Sequence, residues 1–121
     1  LKFKIERIKK LIKNEIMKIV SEGSLKDPRI PTFFTITKIK LSKDLHFSHI
    51  YFSLFGDDTK KKLAIIGFNN ASGFIQKILS ERLKLKYTPK IEFRYDEDDD
   101  KANKVDQILS DLSNERNKLD S

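Results

Sequence analysis

The sequence predicts an α+β fold, a small three-stranded mixed sheet covered by helices. Three observations carry the prediction. An amphipathic helical stripe opens the chain over residues 2–22. Three short runs rich in β-branched and aromatic residues follow at 33–41, 47–55 and 91–95. A long helical stripe, broken near its middle, lies between the second and third runs. The order is α-β-β-α-kink-α-β, with an added C-terminal helix. A hairpin joins its strands antiparallel, whereas a β-αα-β crossover returns to a parallel strand, so the sheet is expected to be mixed.

In the first helix, Ile5, Ile8, Leu11, Ile12, Ile16, Ile19 and Val20 recur at steps of three and four, the period of one helix face. Lys2, Lys9, Lys10, Lys13 and Lys18 lie mostly outside that stripe. Gly23 is the expected C-cap, because glycine accepts the left-handed conformation that ends helices. Asp27-Pro28-Arg29-Ile30-Pro31 then forms a turn, each proline biasing its predecessor away from helical geometry.

In the first strand, Phe34 and Ile36 have one parity and Ile39 and Leu41 the other. A bulge near Thr37-Lys38 puts them on one face. Ser42-Lys43-Asp44 makes the turn. In the second strand Ile50, Phe52 and Leu54 face the core, with His49, Tyr51 and Ser53 opposite. A helix is expected to pack over that opposite face; base stacking on Tyr51 and His49 is the other reading.

Gly56-Asp57-Asp58-Thr59 stops the strand and caps the next helix. Leu63, Ile66, Ala71, Phe74, Ile75, Ile78, Leu79 and Leu83 mark a helical stripe from Lys60 to Lys86. Asn69-Asn70-Ala71-Ser72-Gly73 interrupts it with poor helix formers, so two helices are expected to meet at a kink. Gly73 is expected either to adopt φ > 0 or to let the two helices cross closely. Pro89 ends the run. Ile91, Phe93 and Tyr95 alternate with Lys90, Glu92 and Arg94 as the third strand. Beyond the acidic run Asp96 to Asp100, the spacing of Val105, Ile108, Leu109 and Leu112 predicts a short helix. The division is a domain over 1–96 and an acidic extension over 97–121.

Composition narrows the function. The chain has 121 residues, no Cys and no Trp. Without Cys there are no disulfides, no thiolate nucleophile and no Cys-ligated zinc, and a reducing compartment is favoured. No stretch approaches the roughly 20 apolar residues of a membrane span, and the N-terminus lacks the apolar core of a signal peptide. A cytoplasmic monomer without a membrane partner is the expectation.

Net charge is +7, unevenly spread. Residues 96–121 carry nine acids and four bases; residues 1–95 carry 21 bases and nine acids, net +12. A basic body of this kind points to a polyanion, and a Lys-rich solvated surface is the plainer alternative.

No Ser/His/Asp constellation, P-loop or dinucleotide fingerprint is present, so no catalytic residue, cofactor or metal is expected. His46 and His49 stand three apart in or beside a strand and so point to opposite faces, which argues against a shared metal. The acidic run invites a reading as a Mg²⁺ or nuclease site, but such runs are more often solvated, and no second carboxylate cluster accompanies it.

The element order is that of the type II KH fold, in which RNA lies along a helix-loop-helix. KH domains clamp the RNA backbone with a GXXG loop. This chain has no GXXG; Ala71-Ser72-Gly73 stands in its place.

Asp27-Pro28-Arg29-Ile30, Thr35-Ile36-Thr37 and Leu41-Ser42-Lys43-Asp44-Leu45 are similar to the first block of the ribosome-binding factor A family, and Ile50-Tyr51-Phe52-Ser53 to its second strand. Ala71-Ser72-Gly73-Phe74-Ile75 resembles its Ala-X-Gly kink. The segment from Leu83 through Phe93, with Tyr95-Asp96, resembles its last helix and strand. The resemblance runs in order over most of residues 5–112. Pro31 stands where glycine is common, and Lys86 where arginine is frequent. After Asp96 the resemblance thins.

The resemblance implies a KH-like, non-enzymatic ribosome biogenesis factor. It implies binding to the immature small (30S) ribosomal subunit near the 5′ end of its rRNA, in late maturation and rRNA processing. It also implies a role in cold-shock adaptation. A general KH-like RNA chaperone or regulator is the alternative, with a nuclease or a protein-binding adaptor as more distant rivals. The RNA-contact candidates are Lys9, Lys10 and Lys13 on the first helix, and Lys77, Arg82, Lys84 and Lys86 around the kinked helices. Ala71, Ser72 and Gly73 are the structural kink.

Overall fold

The computed structural model describes residues 2–99, with side chains from residue 4. Asp100 and the stripe Val105, Ile108, Leu109 and Leu112 lie outside the described residues, as does most of the expected extension.

The elements are α1 (Lys2–Ser21), β1 (Thr35–Leu41), β2 (Phe47–Ser53), α2 (Asp58–Asn70), α3 (Ser72–Arg82) and β3 (Lys90–Tyr95). The sheet order is β1-β2-β3. β1 and β2 pair antiparallel, β2 and β3 parallel, as the connections require. The helices pack on one face of this sheet, α1 against β1, α2 and α3 against β3. The core between them is built on Ile12, Ile16, Ile19, Ile36, Ile50, Phe52, Phe68, Ile75, Leu79 and Phe93.

Local chemistry sets the boundaries. Gly23 has φ +73°, and its N–H reaches the Val20 carbonyl to close α1. The β1–β2 register shifts between Ile36 and Lys38, so the bulge is at Thr37. The Thr37 hydroxyl donates to Asp96 Oδ2 at 2.5 Å, pinning the end of β3 to the bulge. In the hairpin, Phe47 N–H donates to Ser42 Oγ and the Ser42 hydroxyl donates to Asp44 Oδ1. Leu45 takes φ +63° there, an uncommon geometry for a non-glycine residue. Asp57 caps α2 by accepting from Lys60 N–H at 2.8 Å.

Two expectations about the helices α2 and α3 require correction. Leu63 and Ile66 do not face the core; both are exposed, as is Phe74. The buried face of α2 is Lys61, Ala64, Gly67 and Phe68. The stripe read from sequence omits Phe68, and the charge of Lys61 disguises its place on the buried face. The Lys61 ammonium lies 5.2 Å from the centre of the Tyr95 ring, a cation–π arrangement that helps a lysine tolerate burial.

The second correction is the end of α3. It stops at Arg82 rather than running to Lys86, and Leu83 is extended (φ −102°, ψ 105°). Leu83-Lys84-Leu85-Lys86 alternates with period two, the signature of extended chain. Leu83 and Leu85 pack against the core while Lys84 and Lys86 are exposed.

The Asp27–Ile30 turn is organised by one carboxylate. Asp27 Oδ1 accepts from the Arg29 N–H and Nε, and Oδ2 accepts from Nη2 at 2.6 Å. The Arg29 side chain, then its backbone N–H, lowers the Asp27 pKa from 3.8 to about 2. A depressed folded-state pKa contributes stability that is present above 3.8 and lost as pH falls through about 2. Asp27→Asn is therefore expected to flatten the stability profile between these two pH values. Urea melts of both proteins across this range should diverge as pH rises; parallel curves would show that the turn adds nothing.

Candidate nucleic-acid interface

Three groups of cations on the described surface bear on nucleic-acid contact. The first is at the kink. α2 ends at Asn70, Ala71 lies between the helices at φ −89°, ψ −3°, and α3 begins at Ser72. The Ala71 N–H bonds back to the Gly67 and Phe68 carbonyls, and the Ser72 hydroxyl donates to the Asn69 carbonyl. These bonds satisfy the carbonyl end of α2. The start of α3 has no side-chain cap.

Neither expectation for Gly73 is met. Its φ is not positive, and a Cβ built there meets nothing within 4 Å. The close approach is at Gly67, one helix earlier. A Cβ there would lie 3.0 Å from Arg29 Cβ and 3.1 Å from Ile30 Cγ1. Gly67 lets α2 rest on the Asp27–Ile30 turn. Gly67→Val is expected to cost about 1–3 kcal/mol by overpacking. Gly73→Ala should match or slightly exceed wild-type stability, because alanine is the better helix former. Thermal melts of the two variants decide it, and a larger loss at Gly73 would reverse the assignment.

Lys77 is exposed on α3, one turn beyond Gly73. The chain after α3 runs back along it: Leu83 N–H bonds the Leu79 carbonyl, and Gln76 Nε2 donates to the Thr88 carbonyl at 3.2 Å. Lys84 and Lys86 are exposed on this returning segment. Lys86 also lies over the Tyr87 ring at 5.6 Å.

Arg82 differs from these lysines. Its Nη1 donates to Glu15 at 2.7 Å and its Nη2 to Glu22 at 3.0 Å. Glu15, then Glu22, raises the guanidinium pKa. Arg82 thus ties α3 to α1, with its charge already compensated by two carboxylates.

The second lies in a groove between α1 and β1, lined by Lys9, Lys10 and Lys13 with Lys38. Lys9 also meets Glu6 at 3.4 Å. The side chain of Lys2 lies outside the described residues.

The third lies on the face of the sheet away from the helices. Among the described residues no helix covers it, contrary to expectation. Lys38 and Lys40 lie 4.7 and 5.4 Å from the centre of the Tyr51 ring. The Arg94 guanidinium, whose pKa is raised by Glu92 and then by Tyr51, flanks the same ring. Sequence reasoning missed Lys38 and Lys40 as candidates. Their signal was the alternation Lys38-Ile39-Lys40-Leu41, which sends both lysines to the face opposite the core.

Among the described residues, no three His, Cys, Asp or Glu side chains converge to hold a metal ion. No described helix is long and apolar enough to cross a membrane.

The sequence matches the family model for Ribosome-binding factor A over residues 4–109. The chain belongs to the ribosome-binding factor A family. A ribosome-binding factor A from Dictyoglomus thermophilum is 38% identical over 107 residues, covering 88% of each chain. The crystal structure of ribosome-binding factor A from Thermus thermophilus is similar in fold. Its TM-score is 0.63 at 21% identity, over 74% of this chain and 92% of that one. A further similar structure is a Thermus thermophilus ribosome-binding factor A homology model fitted into a cryo-electron microscopy map of a 30S complex. Its TM-score is 0.51 at 22% identity, over 69% of this chain and 90% of that one. The mixed sheet with its helix-kink-helix is thus the architecture of ribosome-binding factor A, with Ala71-Ser72-Gly73 at the helix junction.

Proposed function

We propose that this chain binds the immature 30S subunit through its rRNA and assists late maturation, including processing of the rRNA 5′ end and growth in the cold. It acts in the cytoplasm, by binding and without catalysis, as residues 1–96 of a KH-like domain. The observation that carries this reading is the exposure of Lys77 on α3 and of Lys84 and Lys86 on the segment that follows it. Lysines bind phosphate as point charges. The Thermus relative fitted into a 30S complex supports the choice of partner.

The test is cosedimentation with small subunits over a series of salt concentrations. Affinity should fall steeply as salt rises, since each neutralised phosphate releases counterions. Replacing Lys77, Lys84 and Lys86 together by glutamate should weaken binding at least about tenfold and make the log–log salt slope shallower by roughly 0.7–0.9 per lost contact. Folding should change little, because exposed substitutions cost under about 0.5 kcal/mol each. Arg82 is left intact, since reversing it would place three acids at the α1–α3 junction. A folded triple variant that binds like wild type would move the interface elsewhere. For the processing step, cells lacking the protein should accumulate 5′-extended small-subunit rRNA, most strongly in the cold.

A further inference from the structure

The register of the sheet aligns its outward side chains into rows. Lys38 pairs with Tyr51, and Tyr51 with Arg94, so one row reads lysine, tyrosine, arginine across three strands. The next row is Lys40, His49 and Glu92. Phe47 follows on β2, paired with Lys90 and 55% exposed. The central strand therefore presents a file of three rings: Phe47, His49 and Tyr51. Both flanking strands present cations, four in all against the single carboxylate of Glu92, which Arg94 engages at 2.9 Å.

The spacing suits a particular ligand. Alternate residues of a strand are about 6.6 Å apart, twice the roughly 3.4 Å rise of stacked nucleotides. A strand whose bases are splayed apart fits this repeat; a stacked duplex does not. Aromatic rings on an open sheet face stack unpaired bases, and flanking cations track the backbone.

We propose that this sheet face, which no helix among the described residues covers, is a separate site for single-stranded RNA, with bases stacked on Tyr51 and His49 and phosphates held by Lys40 and Arg94. The ammonium groups over Tyr51 are on flexible stems and swing outward to phosphate as a base takes the ring. Lys38 belongs also to the α1–β1 groove, so the basic surface continues around edge strand β1. The proposal rests on the RNA-binding reading above but uses the opposite side of the sheet from the helices. It adds an unpaired segment to what the protein recognises.

The experiment is fluorescence anisotropy of a labelled oligouridine with the full chain. Tyr51→Ala should weaken binding roughly 5- to 150-fold, the loss of one base–aromatic stack. Tyr51→Phe, which keeps the ring, should stay within about threefold of wild type. Lys40→Glu with Arg94→Glu should weaken binding and flatten its salt dependence. This exposed pair keeps the test open if Tyr51→Ala fails to fold. The Lys77, Lys84 and Lys86 triple variant should still bind oligouridine while losing small subunits. A folded Tyr51→Ala protein that binds within twofold of wild type overturns the proposal. So does a polyglutamate peptide that displaces the RNA and shows the same dependence on Tyr51, which would give the face to an acidic protein. If wild type cosediments with small subunits but ignores oligouridine, this site falls and the subunit reading stands. If it binds oligouridine through Tyr51 but not subunits, the reverse holds.

Discussion

Phe68→Ala is expected to destabilise the protein by about 3–5 kcal/mol, the range for deleting a buried aromatic ring. Phe68 is fully buried at the centre of an aromatic cluster. It stacks on Phe93 at 4.6 Å and 16°, and meets Phe52 and Phe34 each at 5.0 Å with tilted rings. Each partner comes from a different part of the fold: β3, β2 and the segment before β1. Removing the ring leaves a cavity bounded by rigid neighbours, which cannot collapse to fill it. Aromatic pairs also contribute about 0.5–1.5 kcal/mol each beyond area burial. Phe68→Leu should recover part of the loss, because it restores volume but not stacking. Equilibrium urea denaturation of both variants tests this, and a loss under about 1 kcal/mol for alanine would mean the cluster is not the keystone of the core.

Asn69→Ala is expected to cost about 2–6 kcal/mol, built from two backbone groups each losing a partner worth roughly 1–3 kcal/mol when buried. Among the described residues β3 is an edge strand paired with β2. Phe93 turns its N–H and carbonyl toward the open edge, where the Asn69 carboxamide meets both. Phe93 N–H donates to Asn69 Oδ1 at 2.8 Å, and Asn69 Nδ2 donates to the Phe93 carbonyl at 3.0 Å. One side chain thus does for β3 what a fourth strand would do, and it blunts an edge that otherwise invites pairing with another chain. It also joins the last turn of α2 to the sheet just before the kink, so the placement of Ser72 and Lys77 depends on it. Asn69→Asp offers an acceptor where a donor is needed and should be at least as damaging near neutral pH. Its deficit should shrink in acid, as the protonated carboxyl regains a donor. Hydrogen exchange at the Phe93 amide gives a local readout: it should accelerate in both variants beyond what global destabilisation explains. An unchanged Phe93 amide would exclude the clamp.

Much of the fold followed from local pattern alone. The α1 stripe apart from Leu11, which is exposed, the Gly23 cap, the bulge at Thr37, the hairpin, the Asp57 cap and the inward file Ile91, Phe93 and Tyr95 all express chemistry within a few residues of each position. Turn chemistry and a two-residue or 3.6-residue period suffice to specify them. The mixed sheet followed from the connection lengths, and the basic body followed from charge count.

Tertiary structure decided the rest wherever two local readings were compatible with the same residues. On α2, either Leu63 and Ile66 or Ala64 and Phe68 make an acceptable stripe, and the sheet selects the face carrying the ring that stacks on Phe93. After Arg82 the residues permit a further helical turn, but only extended chain buries Leu83 and Leu85 together and frees Lys84 and Lys86. Glycine identity alone did not reveal which glycine mattered. Gly67 faces the Asp27–Ile30 turn and Gly73 faces open space, a difference made by residues nearly forty positions away. Arg82 read as one more cation until the fold brought Glu15 and Glu22 against it. The rings of Phe47, His49 and Tyr51 likewise became a platform only through strand register, which set Lys38 and Arg94 on either side of Tyr51. A sequence determines periods and caps through neighbours along the chain. Which charges are compensated, which faces stay open and which small residues are crowded depend on contacts between distant segments, and these exist only once the chain has packed.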